Sequence, residues 1–187
     1  MELWCDADFC GNWSPETEGV DKTPAKSRTG YIITYVGCPL TWTSKLQTET
    51  ALSTTEVDFI DLSEGLRTAI PIMNLIDELK DKRIELLDEG AKVRCKIFED
   101  NSGAKVIASV PRICPRTKHL NIKFCHFTEY VEQGRVRIHS VKLEDQLAEI
   151  LTKPLPKQEY ERLIDIILGD AKAPSTPRMQ GSVMDSR

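Results

Sequence analysis

Residues 5–10 read Cys-Asp-Ala-Asp-Phe-Cys, two carboxylates one residue apart between two thiols. The set suits a hard divalent cation through its oxygens, a softer one or a redox couple through its sulfurs, or simply a polar turn. What decides is whether other acids reach the same place. Glu56 falls on an apolar row between Leu52 and Phe59. A core-facing carboxylate is costly unless paired or bound to a metal, although a first-turn glutamate stabilised by the helix dipole reads equally well. Glu99-Asp100-Asn101-Ser102 closes an apolar strand pattern, where acids can line a site outside the sheet edge or cap the next helix. Asp145 and Glu149 form an i, i+4 pair further on. One acid thus stands at a comparable point in each of four elements: Asp6, Glu56, Asp100 and Glu149.

The elements that must bring them together can be read coarsely. Leu3 to Cys5 predicts a strand running into Asp6, and residues 12–26, with Pro15, Gly19 and Pro24, predict a loop. The β-branched and aromatic runs 30–36 and 39–45, split by Gly37-Cys38, predict a hairpin. From Ser53 the apolar period lengthens through Phe59, Leu62, Leu66, Ile70, Met73, Ile76 and Leu79, predicting an amphipathic helix capped at Ser53 or Thr54. Pro71 should kink or divide it near Ile70. A strand over 92–100, a helix around Ala104–Ala108, a helix from Phe124 stopped by Gly134, and a strand over 136–141 follow. The last pieces are a helix through Leu147, Ile150 and Leu151, interrupted by Pro154 and Pro156, and a second helix over 157–168. The organisation expected is one α/β domain, 1–169, with a disordered tail, 170–187.

Composition narrows the classes. With 187 residues, 40% hydrophobic and 29% charged, the chain matches a soluble globular protein with one sizeable core. No apolar run approaches the ~20 residues that span a bilayer, and Met-Glu-Leu-Trp-Cys-Asp has neither the basic nor the apolar part of a secretory signal, so an intracellular, membrane-free protein is expected. The six cysteines contain no C-x-x-C pair and read as reduced, mostly buried thiols. Cys114, His119, Cys125 and His126 lack paired knuckle spacing, so no zinc site is expected. A net charge of −4 argues against coating nucleic acid by charge alone. Yet residues 22–48 and 112–128 contain no acid while carrying Arg28, Lys45, Arg116 and Lys118, a pattern that ordinary solvated faces also show.

The stretches CDADFCG (5–11), SRTGYIITYVGCPLTWTSK (27–45), ALSTTEVDFIDLSEGL (51–66), FEDNSGA (98–104), RTKHLNIKFCHF (116–127) and EDQLAEILTKPLP (144–156) occur in one order over residues 1–168. Together they resemble the ribonuclease H domain at the C-terminal end of the Pol polyprotein of copia-type LTR retrotransposons. The resemblance implies a ribonuclease H-like fold, a mixed sheet of about five strands with the first three antiparallel, flanked by helices. It implies hydrolysis of the RNA strand of RNA/DNA hybrids during reverse transcription, with a reverse transcriptase domain upstream in the same polyprotein and a cytoplasmic particle or the nucleus as setting. By its pattern the ligands are Asp6 rather than Asp8, Glu56 rather than Asp58, Asp100 rather than Glu99, and Glu149 where the family has Asp.

Two Mg²⁺ ions, with Mn²⁺ as a substitute, would then be held by carboxylate oxygens ~3.5–4 Å apart, one activating water and one stabilising the leaving oxygen. Glu149 keeps the charge but extends the side chain by ~1.5 Å, and a ~1 Å misplacement can cost ~10²-fold in rate. A catalytically impaired relic that only binds hybrid is the alternative. Arg28, Lys45, Arg116, Lys118 and His119 are the expected phosphate contacts, none base-specific. Trp42 is expected in the core before it is expected beneath the hybrid.

Overall fold

The computed structural model describes residues 1–11, 26–82, 92–109 and 126–169. β1 (Glu2–Asp8), β2 (Arg28–Tyr35) and β3 (Cys38–Leu46) form an antiparallel meander, and β4 (Cys95–Glu99) and β5 (Val136–Ser140) extend it in parallel, giving the order β3-β2-β1-β4-β5. This is the five-stranded mixed sheet expected, its first three strands antiparallel. β1 is the seam, pairing antiparallel with β2 and parallel with β4. Central strands buried on both faces must be apolar on both, and β1 reads Leu3-Trp4-Cys5 accordingly.

Alternation along each strand divides the interior into two layers. Leu3, Cys5, Tyr31, Ile33 and Ile97 pack against Phe59, Leu62, Leu66 and Met73 of α1 (Thr54–Asp81), with Ala104 and Ala108 of α2 (Ser102–Ser109) and Phe127 before α3 (Thr128–Glu132). Trp4, Ile32 and Phe98 face the opposite way, onto Leu147 and Ala148 of a 3-10 turn (Leu147–Leu151) and Leu163 of α4 (Lys157–Leu168). Within that second layer Trp4 and Phe98 stack with ring centroids 3.9 Å apart.

Two local expectations fail for identifiable reasons, and a third loses one of its two alternatives. Pro71 does not divide α1, which runs 28 residues through it. The carbonyl deprived of its N–H partner belongs to Arg67, and Arg67 and Pro71 are both exposed, so water can serve that carbonyl. The segment 143–151 is not one helix but two 3-10 turns, Leu143–Asp145 and Leu147–Leu151. Gln146 between them has extended backbone (φ −76°, ψ 103°), which breaks the i to i+4 ladder and separates Asp145 from Glu149. Trp42 is not core: it is 64% exposed on edge strand β3. The predicted loop after residue 11, the start of the helix at Phe124 and the tail from 170 lie outside the described residues.

Candidate active site

β1 and β4 lie in parallel register with Trp4 opposite Phe98. Two residues on along each strand come Asp6 and Asp100, so the parallel pairing alone brings these acids to neighbouring strand ends. Asp6 sits on the Trp4 face, 3% exposed, although a strand position so deep favours an apolar side chain.

What covers Asp6 is the 3-10 turn Leu147–Leu151, and it is held by three devices. Gln146 Nε2 donates to the Cys5 carbonyl of β1 at 2.7 Å. Ser44 Oγ of β3 donates to the Leu151 carbonyl at 2.6 Å. Between them Gly30 of β2, opposite Asp6, leaves room: a Cβ there would stand 2.5 Å from the Thr152 methyl and 2.9 Å from Leu151 Cβ. The turn therefore lies directly on the sheet and delivers Glu149, Thr152 and Lys153 to Asp6. The Thr152 hydroxyl donates to Asp6 Oδ2 and also lies 3.1 Å from the Glu149 carbonyl oxygen. Lys153 Nζ is 3.5 Å from Asp6 Oδ1 and 3.5 Å from Glu149 Oε1.

The helix acid that joins this group is Asp58, not the expected Glu56. Glu56 is the third residue of α1 and accepts a hydrogen bond from the Leu52 backbone N–H at 2.9 Å, while its own N–H donates to Ser53 Oγ at 3.2 Å. That is a helix-start capping arrangement. Asp58, two residues and ~200° further round the helix, is buried and accepts from Asn101 Nδ2 at 2.8 Å. Asn101 is held in turn, its Oδ1 accepting from Gly103 and Ala104 N–H at the start of α2. One side chain thus caps α2 and aims Asp58.

The electrostatics agree with this grouping. Burial pushes Asp6 up from the usual carboxylate range against the opposing Thr152 bond and Lys153 charge, with Asp100 adding to the rise. Burial pushes Asp58 to about 7, with Asp100 and Asp6 contributing. Burial also raises Glu149, with Asp6 adding and Lys153 opposing. Beneath lie two further acids, Asp61 at 0% and Glu99 at 1% exposure. Both Asp61 oxygens and Glu99 Oε2 have no hydrogen-bond partner among the described residues, while Glu99 Oε1 accepts from the Asn101 N–H at 3.0 Å. Burial first, then each other's charge for Asp61 and that of Asp58 for Glu99, pushes both well above their usual values.

Among the described residues, no three His, Cys, Asp or Glu side chains are drawn together closely enough to hold a metal ion. The donors nonetheless suit a hard divalent cation. All are carboxylate oxygens, and Asp6, Asp58 and Glu149 each feel repulsion from another acid of the group that a cation would relieve. Cys5 is buried on the α1 side and Cys10 is half-buried, neither in a disulfide. The opening stretch therefore offers oxygen, not sulfur, to the Asp6 face.

The expected phosphate contacts separate. Arg28 shares a face with Asp6 and donates to Ser44 Oγ at 3.2 Å. Lys45 pairs with Thr29, on the opposite face, and is ion-paired to Glu64 of α1 at 2.7 Å. Arg116, Lys118 and His119 lie outside the described residues, as do Cys114 and Cys125 of the excluded zinc set. Asp145 points elsewhere, into a cleft of ~380 Å³ with Glu144, Gln158, Glu159 and Arg162.

The chain is 26% identical over 167 residues to the retrovirus-related Pol polyprotein from transposon TNT 1-94 of Nicotiana tabacum, covering 89% of this chain and 11% of that protein. It is 29% identical over 161 residues to the corresponding polyprotein from transposon RE1 of Arabidopsis thaliana, covering 86% of the chain and 10% of the relative. Its structure superposes on the N-terminal RNase H domain of a Mycobacterium tuberculosis protein, solved as a fusion with maltose binding protein, with TM-score 0.52 and 12% identity over 88% of this chain and 95% of that one. The chain is thus similar to one segment of retrotransposon Pol polyproteins and has a ribonuclease H-like fold. No family model matches it. The chain spans about a tenth of the length of these polyproteins, and among its described residues no helix is long and apolar enough to cross a membrane.

Within this ribonuclease H fold, sequence reading passed over Asp58, Thr152, Lys153 and Gln146, and recognised Asn101 only as a cap. A signal for Asp58 was present. Asp58, Asp61, Leu62, Gly65 and Leu66 recur at helical spacing, whereas the row containing Glu56 began at Leu52, which precedes α1 and is 87% exposed.

Proposed function

We propose that this chain is the ribonuclease H domain of a copia-type Pol polyprotein, residues 1–169, which hydrolyses the RNA strand of RNA/DNA hybrids. The observation that carries the reading is the convergence of Asp6, Asp58, Asp100 and Glu149 from two parallel strand ends, a helix and a 3-10 turn at one edge of a ribonuclease H-like sheet.

These four would hold divalent metal, Mg²⁺ or Mn²⁺. When bound, it would polarise the scissile phosphate and supply a hydroxide-like nucleophile near neutral pH. The chain's own share is placement. Thr152 fixes one oxygen of Asp6, Asn101 fixes one of Asp58, and Gly30 lets the turn bearing Glu149 close over Asp6. Arg28 and the exposed Trp42 lie on the Asp6 face of the sheet and would meet the sugar-phosphate backbone by charge and by stacking, without reading sequence. In the polyprotein a reverse transcriptase domain upstream would supply the hybrid.

The test is cleavage of an end-labelled RNA/DNA hybrid, with duplex DNA and duplex RNA as controls, in Mg²⁺ and in Mn²⁺. Cutting of the RNA strand of the hybrid alone, abolished by Asp6→Asn, is the expected outcome. Hybrid binding without cutting in either metal would sink the nuclease reading in favour of a binding-only relic.

A further inference from the structure

We propose that Lys153 is a built-in counter-cation of the acid cluster, whose ammonium competes with a divalent ion for Asp6 and Glu149. This rests on the metal-binding reading given above. Four acids gathered at one edge without a cation repel each other, and Asp6 and Glu149 are buried at 3% and 7% exposure. The Lys153 ammonium stands 3.5 Å from an oxygen of each, and its charge also favours the ionised form of Asp58. Among the described residues no other cation is ion-paired to Asp6, Asp58, Asp100 or Glu149.

Two features make the bridge removable. Both distances lie at the long end for an ion pair, so neither contact is tight. The Lys153 side chain is one-third exposed and ends in a flexible four-carbon stem, so it can swing to solvent while its backbone stays fixed, the Lys153 N–H donating to the Glu149 carbonyl at 3.1 Å. Thr152, by contrast, is buried and would keep Asp6 oriented once the ammonium leaves. The two neighbours thus divide the work: Thr152 aims Asp6, and Lys153 neutralises it until metal arrives. The device makes the metal-free chain less dependent on metal for its fold and the loaded site weaker in affinity.

The experiment is Mn²⁺ binding to the full chain, followed by electron paramagnetic resonance of free Mn²⁺, with thermal unfolding measured alongside. Lys153→Met is expected to bind Mn²⁺ about tenfold more tightly than wild type, about 1.4 kcal/mol. It should melt lower without metal and show a larger metal-induced rise in Tm. Lys153→Gln serves the same purpose if circular dichroism shows that the Met variant does not fold, and Lys153→Arg should stay close to wild type. Mn²⁺ binding that is unchanged or weaker in Lys153→Met, while Asp6→Asn still abolishes it, overturns the competition and leaves the metal site standing. Equal Mn²⁺ binding by wild type and Asp6→Asn overturns the acid site itself.

Discussion

Two sets of acids lie within one helical turn of each other and differ in depth and in the partners they have. In the outer set Asp6, Asp58 and Glu149 have hydroxyl, amide and ammonium partners, and they lie with Asp100 toward the strand ends. The inner pair, Asp61 and Glu99, is sealed between α1 and the sheet, with three of its four oxygens unpartnered among the described residues. The same functional group is thus a proposed ligand in one place and a buried acid in the other. What separates them is a few ångströms of depth and the presence of a donor. An unpartnered carboxylate in an apolar layer is tolerated by holding its proton, whereas a partnered one at an edge can stay charged and offer its oxygens.

The comparison is most sharply broken by exchanging charge for amide in the outer set. Asp58→Asn and Asp6→Asn should each lower hybrid cleavage by about 10³-fold or more, since removing a metal ligand removes the chemistry. Circular dichroism and unfolding should show the fold retained. Glu56→Gln should cut within a few-fold of wild type, and a loss equal to that of Asp58→Asn would return the role to Glu56. Glu149→Asp comes next: the shorter side chain should change the cleavage rate by up to ~10²-fold with little change in Tm, read in single-turnover kinetics at saturating Mn²⁺.

The inner pair should answer to pH instead. Asp61 and Glu99 have folded-state values above their unfolded ones. The stability they support is therefore fully present below about pH 4, their unfolded range, and is lost as pH rises through the raised values. Asp58, raised to about 7, acts in the same direction. The Tm of the metal-free chain should accordingly fall from pH 5 to pH 8, and Asp61→Asn should flatten that fall while hybrid cleavage at saturating metal changes little. A Tm that rises over this range would contradict the buried-acid account. The smallest effect expected is on stability in Glu56→Gln, about 0.5–1 kcal/mol from the weakened helix start, read by urea unfolding.

How much of this could be seen in advance depends on which interaction fixes each residue. The strand patterns showed only that acids stand at the ends of the first strand and the fourth; the choice of Asp6 over Asp8 and of Asp100 over Glu99 came from the family resemblance. The mixed sheet of about five strands, its first three antiparallel, followed from the same patterns together with the family resemblance, whereas the strand order did not. Asp58 was not legible, because choosing between acids two apart on a helix requires its phase, and Leu52 gave a false origin by lying outside α1. The turn bearing Glu149 was misread as a helix because its conformation is set by contacts of long sequence separation: Gln146 to Cys5 and Ser44 to Leu151. No local periodicity records those. Trp42 was assigned to the core by its type, and its exposure follows from an edge position that residue type does not reveal.

The hydrogen bond from Gln146 to the Cys5 carbonyl joins residues 141 positions apart. During synthesis Asp6 emerges early, but the turn that completes its surroundings is made only after α1, α2 and both parallel strands have left the ribosome. The acid cluster is therefore closed by a late part of the chain, so a nascent or prematurely terminated product holds Asp6 without Glu149. Timing is thereby written into the order of the elements: under the proposed function, cutting would wait until nearly the whole segment exists.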